Sequence, residues 1–130
     1  MFPRNQPSGA TSAANELFLC RLMKSAAANG SGIDPRRLNA PGRAPAPVAR
    51  ARQVAMYLAH VGFGLGFAAV GRGFDRDPTT VRHACARIES LRGQRRFDRA
   101  LTALEMSARA LALALVGGAG ARPFCLGGGV

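Results

Sequence analysis

The sequence predicts an all-α protein, a bundle of about four to five helices between disordered tails. Three observations carry that expectation. Apolar residues recur at three- and four-residue intervals along several stretches, which is the period of one buried helix face. No run alternates apolar and polar residues at the two-residue period of a half-buried strand, and no internal repeat is evident. Helix start and stop signals punctuate the chain, the clearest being Asp77-Pro78, an N-cap residue followed by proline at the first helical position. At 130 residues, 48% of them hydrophobic, the chain is one folded domain expected over 12–115.

Residues 1–11 read as a disordered leader. Ser12 or Asn15 can cap a first helix through Leu17, Cys20, Leu22 and Met23, with Asn29-Gly30 as its stop signal. Gly32 to Pro47 holds four prolines and four charged residues, too proline-broken for a long element, and reads as a basic connector. Val48 to Val61 predicts a second helix, with Val54, Tyr57, Leu58 and Val61 on one face. Gly66 to Phe74 is a shorter apolar piece. The helix beginning at Asp77-Pro78 buries Val81, Ala84, Cys85, Ile88 and Leu91, leaves Thr79, Thr80, Arg82, His83 and Arg87 outside that stripe, and ends at Gly93. Phe97 to Leu115 predicts a last amphipathic helix through Leu101, Leu104 and Leu111, and 116–130 a glycine-rich disordered tail.

Composition excludes several functions. The only lysine, Lys24, follows Leu22 and Met23 and not a glycine loop, so no phosphate-cradling loop of the ATPase type is present. Seven scattered acids do not supply the metal ligands of phosphoryl transfer, and no enzyme is expected. Cys20, Cys85 and Cys125 are too few and too far apart for a zinc ribbon, and their odd number suits a reducing, cytoplasmic compartment. No apolar segment follows the N-terminus as a secretory signal would. The uncharged stretch Val54 to Val70 is interrupted by Gly62, Gly64 and Gly66, so buried helices joined by a turn explain it better than a membrane span.

Smaller patterns have plain readings. Gly64-Leu65-Gly66-Phe67-Ala68-Ala69 fits a dinucleotide fingerprint, but no strand precedes it and no acid answers it about twenty residues later, so it reads as a turn between packed helices. His60 and His83 lack metal-ligand spacing; His60 reads as a helix-end residue and His83 as a surface contact. Cys85 lies on the apolar stripe as core filler. No cofactor is expected.

Charge carries more information. The chain bears +11, and Arg36 to Arg96 alone holds twelve arginines against Asp75, Asp77 and Glu89. Such a field concentrates polyanions. A short helix, a turn of a few residues and a second helix whose exposed first turns offer Thr79, Thr80, Arg82 and His83 make a helix-turn-helix over about 66–92, with side chains suited to major-groove edges.

At these residues the sequence resembles a known family. Arg52-Gln53-Val54-Ala55-Met56-Tyr57-Leu58-Ala59, then Val70-Gly71-Arg72-Gly73-Phe74, then Arg76-Asp77-Pro78-Thr79-Thr80-Val81-Arg82-His83-Ala84-Cys85 is similar to the C-terminal DNA-binding domain of the bacterial replication initiator DnaA, here with no ATPase module in the chain. The resemblance covers roughly Leu17 to Leu91. It implies binding of double-stranded DNA at DnaA-box-like sites, with a role at replication origins or in transcription and a place on the nucleoid. It also implies base reading by Asp77, Pro78, Thr79, Thr80, Arg82 and His83, and backbone or minor-groove contacts by Arg43, Arg50, Arg52, Gln53, Arg76 and Arg87. The chain departs from the family pattern in three ways: Pro78 replaces a histidine, the turn after Phe74 is one residue shorter, and Gly62, Gly64 and Gly66 loosen the preceding connection. A relaxed or altered box preference is the expected consequence. The alternative is a module that has lost box recognition, either a non-specific nucleoid protein or one that binds a replication-protein partner through 97–115. Neither reading involves a nucleotide or a membrane.

Overall fold

A computed structural model describes residues 13–116, and five α-helices account for most of them. Helix α1 spans Ala13–Ser31, α2 Ala46–Tyr57, α3 Phe67–Phe74, α4 Pro78–Leu91 and α5 Arg95–Val116. A short 3-10 helix, Pro35–Asn39, lies in the connector before α2, and a π-helical turn, Leu58–Gly62, prolongs α2. Among the described residues there is no strand, so the all-α expectation holds. The leader expected over 1–11, the Ser12 cap and residues 117–130 lie outside the described residues.

Several helix ends differ from expectation. Asn29 and Gly30 do not stop α1; they form part of its last turn, where Gly30 lies against Leu104 of α5. The stop is Gly32 at φ +70°: the Ile33 amide donates to Ala28 O at 2.9 Å and the Gly32 amide to Asn29 O at 3.3 Å, the paired bonds of a left-handed C-terminal cap. The second helix begins two residues earlier than expected, with Pro47 in its first turn, and it gives way to the wider π turn after Tyr57. Gly64 at φ +71° closes that turn. His60 fills the place expected of it there, Nδ1 lying 2.7 Å from Leu65 O while the ring stacks on Phe67. The last helix starts at Arg95, two residues before Phe97, and includes Val116.

The core sits where α1, α2, α3 and α4 meet. Cys20, Met23 and Ala27 of α1 pack with Val54, Ala55 and Leu58 around α2, Val70 and Phe74 of α3, and Val81, Ala84, Cys85 and Ile88 of α4. Leu101 and Ala108 join from α5. Glycine permits the close crossing of α3 with α1, because a methyl group on Gly73 would overlap Cys20 Sγ. A smaller cluster, Ala28, Leu38, Val48 and Ala51, seats the connector on α1 and α2. Arg92, between α4 and α5, locks α5 in place: Nε meets Asp98 at 2.6 Å, and the other guanidinium nitrogens meet Tyr57 Oη, Thr102 and Glu105.

Candidate nucleic-acid interface

Helices α3 and α4 are joined at Asp75–Asp77. Asp75 adopts the left-handed conformation at φ 57°, which its short polar side chain tolerates better than most. The Arg76 amide donates to Gly71 O at 2.9 Å, and this turn comes so close to α3 that a Cβ on Gly71 would lie 2.6 Å from Arg76 O. Asp77 then caps α4 as the sequence predicts: its carboxylate accepts from the Thr79 amide at 2.7 Å and its carbonyl from the Thr80 amide at 2.9 Å. Pro78, which has no N–H to satisfy, takes the first helical position.

The six residues expected to read bases stand together. Asp77, Pro78, Thr79, Thr80, Arg82 and His83 are all exposed on the first two turns of α4, and Val81, Ala84, Cys85 and Ile88 are buried on its other side. The Arg82 guanidinium lies 5.8 Å from the centre of the Phe67 ring, within cation–π range, so the opening residue of α3 steadies it. Arg87 is exposed one turn further along α4.

The six expected backbone and minor-groove residues divide. Arg43 is exposed in the connector, one residue after Gly42 at φ +81°. Arg50 and Gln53 are half-buried on α2 and pair with each other, Nε donating to Oε1 at 3.1 Å. Arg52 is only 9% exposed: Nε donates to Leu38 O at 3.0 Å and Nη2 to Ala40 O at 3.4 Å. Burial, and then the nearby Arg76 charge, depress its pKa. Arg76 is likewise occupied, with Nη1 on Phe74 O and Asp75 O and Nη2 on Ala40 O at 3.3 Å. These two guanidiniums hold backbone carbonyls, a use that the pattern of basic residues does not reveal. Sequence reasoning also missed Lys24, whose ammonium reaches Asn39 and the end of α3.

The remaining titratable candidates have structural roles. The Cys20 and Cys85 thiols are pushed up to about 11 by burial, so both are protonated at neutral pH. Among the described residues no three His, Cys, Asp or Glu side chains are grouped to hold a metal ion. The glycine run at 64–66 is the turn into α3. No helix among the described residues is long and apolar enough to cross a membrane.

The capped, outward first turn of α4 behind α3 gives the motif its geometry, and the comparison with known families agrees with it. Residues 21–88 match the family described as the bacterial dnaA protein helix-turn-helix. The chain belongs to that family. The match runs from within α1 through the buried stripe of α4, so it takes in the connector, α2, α3, the turn and all but the last residues of α4. Membership makes this a DNA-binding domain for duplex DNA, not a catalytic one. No curated protein matches the chain.

Proposed function

We propose that the protein binds duplex DNA at DnaA-box-like sites, with the first turns of α4 in the major groove and Arg43 reaching the minor groove beside it. The observation that carries this is the exposure of Thr79, Thr80, Arg82 and His83 on one capped helix end. Hydroxyl, guanidinium and imidazole groups there offer donors and acceptors for base edges. Arg37, Arg50 and Arg87 neutralise flanking phosphates. Arg52 and Arg76 act through the connector and turn that they hold.

Such a domain on the nucleoid competes with other proteins for origin boxes or regulates promoters that contain similar sites. A mobility shift with box and scrambled duplexes at two salt concentrations tests the reading. Preference for the box duplex is expected, with about four phosphates engaged and a log–log salt slope near −3.6. Equal binding to both duplexes would leave a general nucleoid protein. Failure to bind either would favour the second reading, a replication-protein partner on 97–115, which the exposure of Met106, Leu111 and Leu113 on α5 supports.

A further inference from the structure

Three cations from three different elements converge on one stretch of backbone. Lys24 of α1 donates from Nζ to Asn39 Oδ1 at 2.8 Å and to Gly73 O at 2.9 Å, and its ammonium lies 4.8 Å from the centre of the Phe74 ring. Gly73 is in the last turn of α3, where carbonyls have no intrahelical partner and cations are favoured. Arg52 of α2 holds Leu38 O and Ala40 O, and Arg76 of the turn before α4 holds Ala40 O from the other side. Connector residues 38–40 are thereby tied to α1, α2, the end of α3 and the turn that opens α4.

Among the described residues no ion pair joins any of these three cations to a carboxylate. Burial depresses the Lys24 pKa; the neighbouring Cys20 opposes this, and the charges of Arg21, Arg76 and Arg52 add to the depression. Holding three cations together without an acid costs electrostatic energy in the free protein. That cost falls when a polyanion lies across the neighbouring surface.

We propose that Lys24 is a positioning residue for two-groove recognition: by bridging Asn39 to Gly73 it fixes the connector that carries Arg43 in register with the α4 end that carries Thr79 and Thr80. This rests on the reading of α4 in the major groove and Arg43 in the minor groove. Only Pro41 and Gly42, the latter at φ +81°, separate Ala40, the last residue held by the clamp, from Arg43, so the arginine inherits its placement from residues 38–40. Lys24 itself touches no DNA. Its effect is on whether both grooves are read at once, and its loss costs specificity without removing a phosphate contact.

The test uses the full chain and a duplex that the wild-type protein selects from a randomised pool, with a scrambled duplex as control. Lys24→Met keeps the stem volume and removes the donors; Lys24→Arg restores donors. Lys24→Met is expected to lose about tenfold in affinity for the selected duplex and less than threefold for the scrambled one, with an unchanged salt slope, because no counterion-releasing contact is lost. Lys24→Arg should recover most of the loss. A·T to G·C changes on the connector side of the selected duplex put an amino group in the minor groove. The wild type should be penalised by them, relieved by inosine·cytosine pairs, and Lys24→Met should be nearly indifferent. Asn39→Ala removes only the connector's acceptor and should reproduce the pattern, so a poorly folding Lys24 variant does not protect the proposal. An equal loss on both duplexes with a slope smaller by about one would overturn it, since Lys24 would then be a phosphate contact. So would unchanged minor-groove sensitivity in both variants. A wild-type protein that selects no duplex would overturn the two-groove reading itself.

Discussion

Truncating Thr79 or Thr80 to Ala separates DNA recognition from folding more sharply than any other change in α4. Both side chains are exposed, and the backbone bonds that cap the helix come from Asp77, to the Thr79 amide at 2.7 Å and to the Thr80 amide at 2.9 Å. Truncation leaves those bonds intact. Alanine is a better helix former than threonine by up to about 0.7 kcal/mol, so each variant should be as stable as the parent or melt about 2–4 °C higher. If each hydroxyl or methyl meets a base edge, its loss costs about 1–3 kcal/mol on the preferred site, which is a factor of about 5 to 150 in affinity. Loss on a scrambled duplex should stay within about twofold, because phosphate contacts are untouched. Titration of labelled box and scrambled duplexes at one fixed salt concentration, with a thermal melt of each variant, reads both quantities. Equal factors on the two duplexes would show that α4 does not read the groove. A fall in melting temperature of several degrees would show that its first turn packs on protein.

Three further outcomes follow from particular contacts. Gly73→Ala drives a methyl group into Cys20 Sγ and Cβ and should cost about 1–3 kcal/mol as overpacking; Cys20→Ala in the same chain removes Sγ but keeps Cβ and should recover part of it, and strictly additive losses in urea unfolding would deny the contact. Pro78→His gives the first turn a donor while the Asp77 cap persists, so stability should stay within about 1 kcal/mol and base preference should sharpen at one or two positions in a randomised-site selection; identical preferences would show that position 78 does not face the groove. Burial raises the Cys20 and Cys85 thiols from 9.0 to about 11, and burial also raises Tyr57. The neutral thiols therefore stabilise the fold fully below pH 9, and that contribution is lost as pH rises from 9 to 11. Unfolding midpoints should fall across that window and fall less in the Cys20→Ala/Cys85→Ala variant; parallel curves would remove the thiols from the alkaline limb.

What the sequence made legible was local. Asp77 caps α4, Pro78 opens it and the stripe Val81, Ala84, Cys85, Ile88 is buried, because cap chemistry and a 3.6-residue period act within a few residues of chain. The end of α1 misled for the same reason: Asn29-Gly30 carries a stop signal, but Gly30 is held in the helix beside Leu104, and the left-handed turn falls at Gly32. The π turn after Tyr57 depends on the contact of His60 with Leu65 O and on Gly64, none of which alters the apolar period through Val61. The exposed residues in the first turns of α4 were legible as the complement of its buried stripe. The uses of Lys24, Arg52 and Arg76 were not, because each reaches a backbone carbonyl at least a dozen residues away in sequence, and backbone carbonyls leave no mark in composition.

The same distinction explains how a chain of +11 presents that charge to DNA. Six of its seven acids have internal work. Asp34 pairs with Arg36 and Glu16 with Arg72, Asp98 and Glu105 both hold Arg92, Glu89 accepts from Tyr57 Oη, and Asp77 caps α4. Asp75 is the seventh, exposed at the left-handed turn. Carboxylates thus serve to close the α4–α5 junction, to anchor α3 to α1 and to start α4. Arg37, Arg43, Arg82 and Arg87 are all exposed and meet no acid among the described residues. Replacing Arg72 or Arg92 would therefore act first on helix packing, although each removes the same formal charge as replacing Arg43. The sign of the field is a property of composition; its direction is set by which arginines the fold leaves without a carboxylate.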